Sequence, residues 1–244
     1  MTTATAPAKI NLALVVGPRR EDGKHEVVTV YERIDLADTL TLEAADSPGV
    51  DGFAGDSLVA GALSALATRA GVGPMWRVTL DKRIPLAAGL GGGSSDAATA
   101  LRLANATLPA PLGDDALHEV AAGLGADVPF FLTPGPQLGQ GDGTSLTPLS
   151  LPRDYSVVVL LPAGSTKHST KSVYDAFDDR HGDVGFAERG AHLLGRLREV
   201  RHAGDLSAWP PNDLASSAFT AELLGLGAFR ADVSGAGPAL YGLF

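Results

Sequence analysis

The sequence contains no cysteine, so disulfide bonds and thiolate chemistry are both excluded. It has no apolar run of the roughly 18 residues that a transmembrane helix needs, and we expect no membrane span. The segment Met1–Ala8 has neither a basic stretch nor an apolar core, so a signal peptide is not expected. Acidic residues (28) outnumber Lys and Arg (19), and the resulting charge of −9 disfavours nucleic-acid binding. Together these absences predict a cytoplasmic protein without membrane or nucleic-acid partners.

Length and composition allow a sizeable hydrophobic core. The chain has 244 residues, of which 45% are hydrophobic and 19% charged, which is typical of a globular protein. Predicted strands and helices are interspersed without strict βαβ alternation, which favours an α+β fold over a doubly wound sheet. Pro148 and Pro152 punctuate the middle of the chain, so we predict two domains, 1–150 and 151–244.

Apolar periodicity predicts the individual elements. In the first strand Ile10, Leu12 and Leu14 alternate with polar Lys9 and Asn11, which predicts one apolar face and one polar face. A turn is predicted at Arg20–Gly23. Predicted strands are Lys9–Val16, His25–Ile34, Thr39–Glu43, Trp76–Leu80, Tyr155–Leu161 and Ala239–Phe244. Predicted helices are Asp56–Ala70, Ser94–Thr107, Asp114–Leu124, Ser169–Phe177, Phe186–Val200 and Asn212–Leu224.

A glycine loop is the most informative segment. Gly89–Gly93 holds four glycines in five positions, and Ser94, Ser95 and Asp96 are favourable N-cap residues for the Ala-rich helix that follows. A glycine loop that opens onto a helix N-terminus offers free N–H groups and the positive end of the helix dipole to an anion. The segment matches neither the P-loop nor the dinucleotide fingerprint. Taken alone, it is either a phosphate-binding loop or a flexible loop before a capped helix.

The amino-acid sequence of the loop and its flanks resembles a motif of a known family. Pro85-x-x-x-Gly89-Leu90-Gly91-Gly92-Gly93-Ser94-Ser95-Asp96-Ala97-Ala98 closely resembles the phosphate-binding motif of GHMP kinases. Further segments resemble motifs of the same family in the same order: Ala6–Leu12, Arg20–Glu26, Leu124–Phe131, Leu138–Gly143, His168–Tyr174, Asn212–Leu214 and Val233–Pro238. Within that superfamily the chain most resembles the branch that phosphorylates 4-diphosphocytidyl-2-C-methyl-D-erythritol in isoprenoid biosynthesis.

The resemblance implies a fold and a set of ligands. The fold would be the two-domain α+β GHMP kinase fold, with a ribosomal protein domain 2-like N-terminal domain and an α/β-sandwich C-terminal domain, here expected to be shortened. The ligands would be ATP, Mg²⁺ and the cytidine diphosphate-linked methylerythritol, bound by a monomer or homodimer. ATP-binding residues would be Pro85, Gly89, Leu90, Gly91, Gly92, Gly93, Ser94, Ser95 and Asp96, with Ser95 also a magnesium ligand.

Roles in chemistry and substrate binding follow from the same resemblance. Asp127 would be the general base toward the substrate hydroxyl, and Lys9 would pair with it and stabilise the transferring phosphoryl group. His25 would hydrogen-bond the cytosine or its diphosphate, and Tyr174 would stack on the base. The substrate-binding residues would be Asn11, Lys24, His25, Thr170, Tyr174, Ser234, Gly235 and Gly237.

Three other interpretations of the sequence are set against this one. The related kinases have an aromatic residue that stacks on cytosine where this chain has Lys24, so a GHMP kinase for another alcohol stays open. A non-catalytic protein of the same fold is disfavoured because Lys9, Asp127 and the glycine loop are all present. An RNA-binding domain conflicts with the charge of −9. Zinc sites and a Gly-x-Ser-x-Gly nucleophile motif are missing from the sequence.

Overall fold

Two long strands, β1 (Thr2–Arg19) and β2 (His25–Ala44), pair with each other at the start of the chain. They appear in a computed structural model that describes residues 1–53, 57–73, 75–163 and 169–244, with only the backbone at residue 57. The predicted turn joins them, with Gly23 at a φ of 83° and the Arg20 N–H donating to the Lys24 carbonyl at 2.7 Å. β2 includes both His25–Ile34 and Thr39–Glu43, which the sequence predicts as separate strands.

The chain divides into two compact units, neither of which is one continuous segment. Unit 1 comprises Met1–Ala8, Ile34–Leu86 and Gly91–Pro134, and unit 2 comprises Lys9–Arg33, Ala87–Leu90 and Gly135–Phe244. β1, β2 and the glycine loop therefore contribute residues to both units. The boundary predicted at residue 150 stays a prediction.

In the described part of unit 1, α1 (Ser57–Ala70), α2 (Gly92–Asn105) and α3 (Asp114–Leu124) pack on one another. The C-terminal part of β2 pairs antiparallel with β4 (Trp76–Asp81), and β3 (Gly49–Asp51) pairs parallel with β4. Trp76 is buried, and its Nε1–H donates to Thr107 Oγ1 at 2.8 Å. This bond ties β4 to the turn that ends α2. A 3-10 helix, Pro129–Leu132, contacts α2 and α3.

Unit 2 contains two groups of paired strands. The N-terminal part of β2 pairs antiparallel with β5 (Gln137–Gly141), which in turn pairs with β6 (Ser145–Pro148). A separate antiparallel sheet has β9 (Leu240–Leu243) between β7 (Val157–Leu160) and β8 (Arg230–Val233). The helices of this unit are α4 (Thr170–Asp179), α5 (Phe186–Glu199) and α6 (Phe219–Gly225), and α6 packs on β8 and β9.

The α+β class is confirmed, and three details differ from the sequence predictions. The helix predicted over Asn212–Leu224 is wrong in its first half, because the Asn212 side chain bonds to backbone groups of a loop and α6 begins only at Phe219. The family-motif segment Leu138–Gly143, which the resemblance implies to be a glycine turn, lies partly in β5, where Gly139 leaves room for the Tyr31 side chain on the paired strand. The polar face predicted for β1 is buried as well, since every residue from 8 to 17 is buried.

Some predictions concern residues that lie outside the described ranges. Asp56, at the predicted start of the first helix, and His168, at the start of one family motif, are the two that matter here. Among the described residues, no helix combines the length and apolar composition that crossing a membrane requires.

Candidate active site

The second half of the glycine loop is the start of α2. Gly91 precedes the helix with a φ of 69°, and its carbonyl accepts the Ser95 N–H at 2.9 Å. Among the described residues no side chain caps this end, so the first-turn N–H groups and the positive helix dipole are left for an anion. The prediction that Ser94, Ser95 and Asp96 cap the helix is wrong, because the helix begins earlier and places them in its first turn.

The first half of the loop belongs to unit 2, where it is hydrogen-bonded to the last glycine motif, Val233–Pro238. Gly89 has a φ of +84°, and a Cβ placed on it would lie 2.1 Å from the Ser234 carbonyl oxygen. The Ser234 hydroxyl donates to the Gly89 carbonyl at 2.9 Å. The next carbonyl, that of Leu90, accepts the Lys9 N–H at 2.9 Å. Contact this close between two backbones requires glycine.

The last glycine motif is a tight turn braced by Asn212. Gly235 and Gly237 have φ values of 57° and 72°, and the Gly237–Pro238 bond is cis. The Asn212 Nδ2 donates to the Val233 carbonyl at 2.9 Å and to the Gly235 carbonyl at 2.7 Å. A side chain that the sequence assigns to a helix start therefore fixes this turn instead.

A buried polar network in unit 2 starts at Lys9. Its Nζ donates to Asn11 Oδ1 at 2.6 Å, and Asn11 Nδ2 donates to Thr29 Oγ1 at 2.8 Å. Lys9 and Asn11 are each only 3% exposed. A Cβ at Gly235 would lie 3.4 Å from Lys9 Nζ, so the glycine turn passes directly beside the ammonium. The structure thus brings the predicted site residues Lys9 and Asn11 together with the turn that holds Ser234 and Gly235.

His25 and Tyr174 form the second predicted group that the structure brings together. Their rings stack with centroids 4.7 Å apart and 28° between planes, and Phe177 meets the His25 ring edge-on at 6.0 Å. The His25 Nε2 lies 2.7 Å from Asp178 Oδ1. In this structure Tyr174 stacks on His25, and its expected contact with the cytosine stays a prediction. Asp178, which holds the ring, was missed because it lies 153 residues away in sequence.

Lys24, where the family resemblance implies an aromatic residue, forms an ion pair with Asp142. Its Nζ donates to Asp142 Oδ2 at 2.5 Å, in the turn between β5 and β6. Burial works to raise the pKa of Asp142, but hydrogen bonds from Lys24 and Thr144 outweigh it and lower the pKa to about 2. The carboxylate is therefore charged at any pH near neutrality.

Three further predicted site residues are Asp127, Thr170 and Pro85. Asp127 is half-buried in unit 1, two residues after Gly125 and just before the 3-10 helix. Its expected pairing with Lys9, a residue of unit 2, stays a prediction. Thr170 is exposed at the first position of α4, whose N-cap is Ser169. Pro85 is half-buried at the entry of the glycine loop.

A family model and the sequences of known relatives place this chain in the same family. Residues 57–135 match the family model described as the GHMP kinases N terminal domain. The 4-diphosphocytidyl-2-C-methyl-D-erythritol kinase of Chlorobium phaeobacteroides (strain BS1) is 39% identical over 257 aligned positions, which cover 97% of this chain and 87% of that protein. The enzyme of the same name from Salinispora arenicola (strain CNS-205) is 40% identical, covering 95% and 80%. The chain belongs to the 4-diphosphocytidyl-2-C-methyl-D-erythritol kinase family of GHMP kinases.

Solved structures agree with this family. A crystal structure of 4-(cytidine 5'-diphospho)-2C-methyl-D-erythritol kinase is 35% identical with a TM-score of 0.78, covering 99% of this chain and 90% of that one. A crystal structure of mevalonate kinase, 12% identical with a TM-score of 0.76 over 100% of this chain and 91% of that one, shares the fold alone. The GHMP kinase fold predicted from the motifs is confirmed.

Members of this family depend on ATP. In the first turn of α2, Ser95 Oγ is buried and makes no hydrogen bond within the described residues. The described residues contain no cluster of three or more His, Asp or Glu side chains that could hold a metal ion.

Lys82 and Asp38 lie close to the glycine loop, and the sequence did not predict either of them as a site residue. Lys82 Nζ donates at 2.5 Å both to Asp38 Oδ2 and to Asp96 Oδ2, and all three residues belong to unit 1. Burial works to lower the pKa of Lys82, but the bonds and charges of the two aspartates raise it above its ordinary value. A charged lysine three residues before Pro85 is the signal that could have directed attention to this cluster.

Proposed function

We propose that this protein transfers the γ-phosphoryl group of ATP to the 2-hydroxyl of 4-diphosphocytidyl-2-C-methyl-D-erythritol, a step of isoprenoid precursor biosynthesis. The observation that carries the proposal is the 39% identity over 97% of the chain to an enzyme of that name. Two features, each within its own unit, support the proposal separately: the buried network of Lys9 offers a cationic group, and the uncapped start of α2 offers donors of the kind that bind phosphate.

The nucleotide phosphates are assigned to the start of α2. Gly91 keeps this end free of a side chain, and the first-turn N–H groups are donors of the kind that bind phosphate. Ser95 Oγ, buried and without a hydrogen-bond partner in the described residues, is the protein oxygen that we assign to magnesium. When bound, the ion would neutralise charge on the phosphates and orient them. Gly92, Gly93 and Ser94 belong to the same first turn and are assigned to ATP as well.

The acceptor substrate is assigned to polar groups of unit 2. Asn11 and Lys9 present a buried amide and ammonium beside Gly235, where a substrate oxygen can be bound without competition from bulk water. His25, held by Asp178 and flanked by Tyr174, is assigned to the cytidine diphosphate end. Its imidazole can donate or accept a hydrogen bond, depending on its tautomer.

Proton removal is assigned to Asp127. A carboxylate within reach of the substrate hydroxyl can accept its proton as the new ester bond forms, and such bases contribute about 100-fold to 10,000-fold in rate. The rigid Pro129 and the 3-10 helix that follows restrict the backbone next to Asp127. Lys9, buried and cationic, is assigned to stabilise charge that develops on the transferred group.

The proposal is tested by measuring magnesium-dependent ADP release with and without 4-diphosphocytidyl-2-C-methyl-D-erythritol. We expect strong stimulation by the substrate and its loss when EDTA removes magnesium. Asp127→Asn should lower kcat by about 100-fold or more while the protein still binds ATP. Circular dichroism and ATP titration of the variant separate a lost base from a lost fold.

One observation favours a second candidate function, phosphorylation of a different alcohol. Lys24, bonded to Asp142, stands where the related kinases have an aromatic residue. Mevalonate and homoserine are therefore included as alternative acceptors in the same assay. If a folded, ATP-binding protein ignored the cytidyl substrate and accepted one of these alcohols, the substrate assignment would be wrong and the phosphotransferase assignment would stand.

A further inference from the structure

Lys82 connects the segments that enter and leave the glycine loop. Its Nζ reaches Asp38 on β2 and Asp96 in the first turn of α2, each at 2.5 Å. Asp38 also binds the backbone before the loop, because its Oδ1 accepts the N–H groups of Arg83 at 2.5 Å and Ile84 at 2.8 Å. One side chain, Asp38, therefore fixes the residues just before Pro85, and one ammonium ties them to the helix after the loop.

The burial of these groups makes the connection hard to break. The carboxylates of Asp38 and Asp96 are fully buried, and the Lys82 side chain is 13% exposed. An unpaired charge in such a place is costly, so each of the three charges depends on the other two. Gly92 adds close packing, because a Cβ there would lie 3.0 Å from an Ile84 methyl and 3.5 Å from Lys82 Nζ. The first residue of α2 thus lies directly against the cluster.

The glycines between these two segments provide no rigidity of their own. Gly89 and Gly91 adopt positive φ values that glycine reaches freely, and a glycine-rich backbone loses more conformational entropy on ordering than any other. A site that binds phosphate through backbone N–H groups works best when those groups are ordered before the ligand arrives. Something outside the loop must therefore fix the spacing of its ends.

We propose that Asp38, Lys82 and Asp96 form an ionic clamp that fixes the two ends of the glycine loop and so orders the start of α2 for the nucleotide phosphates. Asp38 and Asp96 act in this as positioning residues. The clamp itself is a property of the free chain, whereas its effect on the nucleotide rests on the proposed function.

The test uses isosteric variants that break single bonds of the clamp. Asp38→Asn keeps an oxygen for the backbone N–H groups of Arg83 and Ile84 but loses the bond to Lys82. Asp96→Asn leaves Asp38 untouched, so it keeps the fold if the first variant does not. Asp81→Asn is the matched control, because Asp81 is an exposed aspartate of the same sheet, 66% exposed, that pairs only loosely with Arg83 at 3.6 Å.

The first readout is amide hydrogen exchange of Ser95 in the free protein, because its N–H donates to the Gly91 carbonyl at 2.9 Å and is therefore protected when the start of α2 is ordered. We expect exchange to accelerate by about tenfold or more in both clamp variants, as loss of a hydrogen bond to a charged group implies, and to stay unchanged in Asp81→Asn. This readout needs no catalytic activity. An inactive wild-type protein would contradict the proposed function and still leave the clamp open to test.

The second readout separates the two substrates in steady-state kinetics. We expect the KM for ATP to rise by about tenfold in the clamp variants, while the KM for the acceptor changes by less than about twofold. Unchanged exchange in both variants would overturn the clamp. Faster exchange with an unchanged KM for ATP, or equal rises in both KM values, would overturn its role in positioning the loop for the nucleotide.

Discussion

Gly89 illustrates how a single residue can be dictated by backbone geometry. Its φ of +84° favours glycine, and the Ser234 carbonyl oxygen occupies the place of a Cβ at 2.1 Å. Gly93, in the same loop motif, is different: it lies in α2, and a Cβ there would make an ordinary contact of 3.9 Å with Leu58. Two glycines of one motif are thus constrained to very different degrees.

We therefore predict opposite effects for two glycine-to-alanine changes. Gly89→Ala should lower the free energy of unfolding by about 2–4 kcal/mol, since overpacking adds to left-handed backbone strain. Gly93→Ala, the matched control, should leave stability equal or slightly higher, because alanine favours the helix. Urea unfolding of both variants checks this, and equal losses would contradict the geometric account.

Lys9 is a charged residue that is buried, contrary to the alternating pattern of its strand. A polar side chain that alternates with Ile10 and Leu12 would ordinarily face water, yet Lys9 is 3% exposed and bonded to Asn11. We predict that Lys9→Met, which keeps the stem and removes the charge, lowers kcat by about 100-fold or more. Its melting temperature should fall, since the buried Asn11 Oδ1 loses its donor, but the apolar stem stays packed and the protein should remain folded. A fully active Lys9→Met enzyme would rule out the charge-stabilising role.

At the scale of elements, local signals predicted helices well and pairing partners poorly. The bounds of α3 match the prediction, because Asp114 and Asp115 open the helix and Gly125 ends it. The short strand β8 was not predicted, because the charged residues Arg230 and Asp232 interrupt its apolar pattern. Both are nevertheless buried, and both form hydrogen bonds with residues distant in sequence. The motif residues of the candidate site could be listed from the sequence. Asp38 and Asp178 could not, because they act through contacts 44 and 153 residues away.

The loop at Asn212 leads to a prediction about the last glycine motif. Asn212→Ala removes two donated bonds to backbone carbonyls and the bond that its Oδ1 accepts from the Leu214 N–H at 2.8 Å. We expect a loss of about 2–3 kcal/mol in unfolding free energy and a higher KM for the acceptor substrate. Ser207→Ala, which removes one exposed bond, is the control and should change neither quantity. An Asn212→Ala protein with wild-type stability would show that the turn needs no brace.

At the scale of the whole molecule, the acidic composition makes low pH informative. The pKa of Asp142 falls from 3.8 to about 2 in the folded protein, despite burial, because Lys24 and Thr144 bind the carboxylate. A carboxylate with a lowered folded pKa contributes stability above its unfolded pKa, and this contribution disappears as the pH falls through the folded pKa. The pair should therefore support the fold at neutral pH and stop doing so below about pH 2.

Asp142→Asn checks this linkage. We expect the variant to melt at a lower temperature than the wild type at pH 7, with the difference shrinking as the pH falls from 3.8 toward about 2. Thermal melts at a series of pH values measure it. A difference that grew on acidification would contradict the assigned direction of the shift.

The central claim, transfer of a phosphoryl group to the 2-hydroxyl of the cytidyl substrate, is tested most directly by phosphorus NMR of the reaction products. After incubation with ATP and magnesium, the account predicts one new phosphomonoester on that hydroxyl, formed in equal amount with ADP. Inorganic phosphate in place of the ester, or an ester on another hydroxyl, would contradict it.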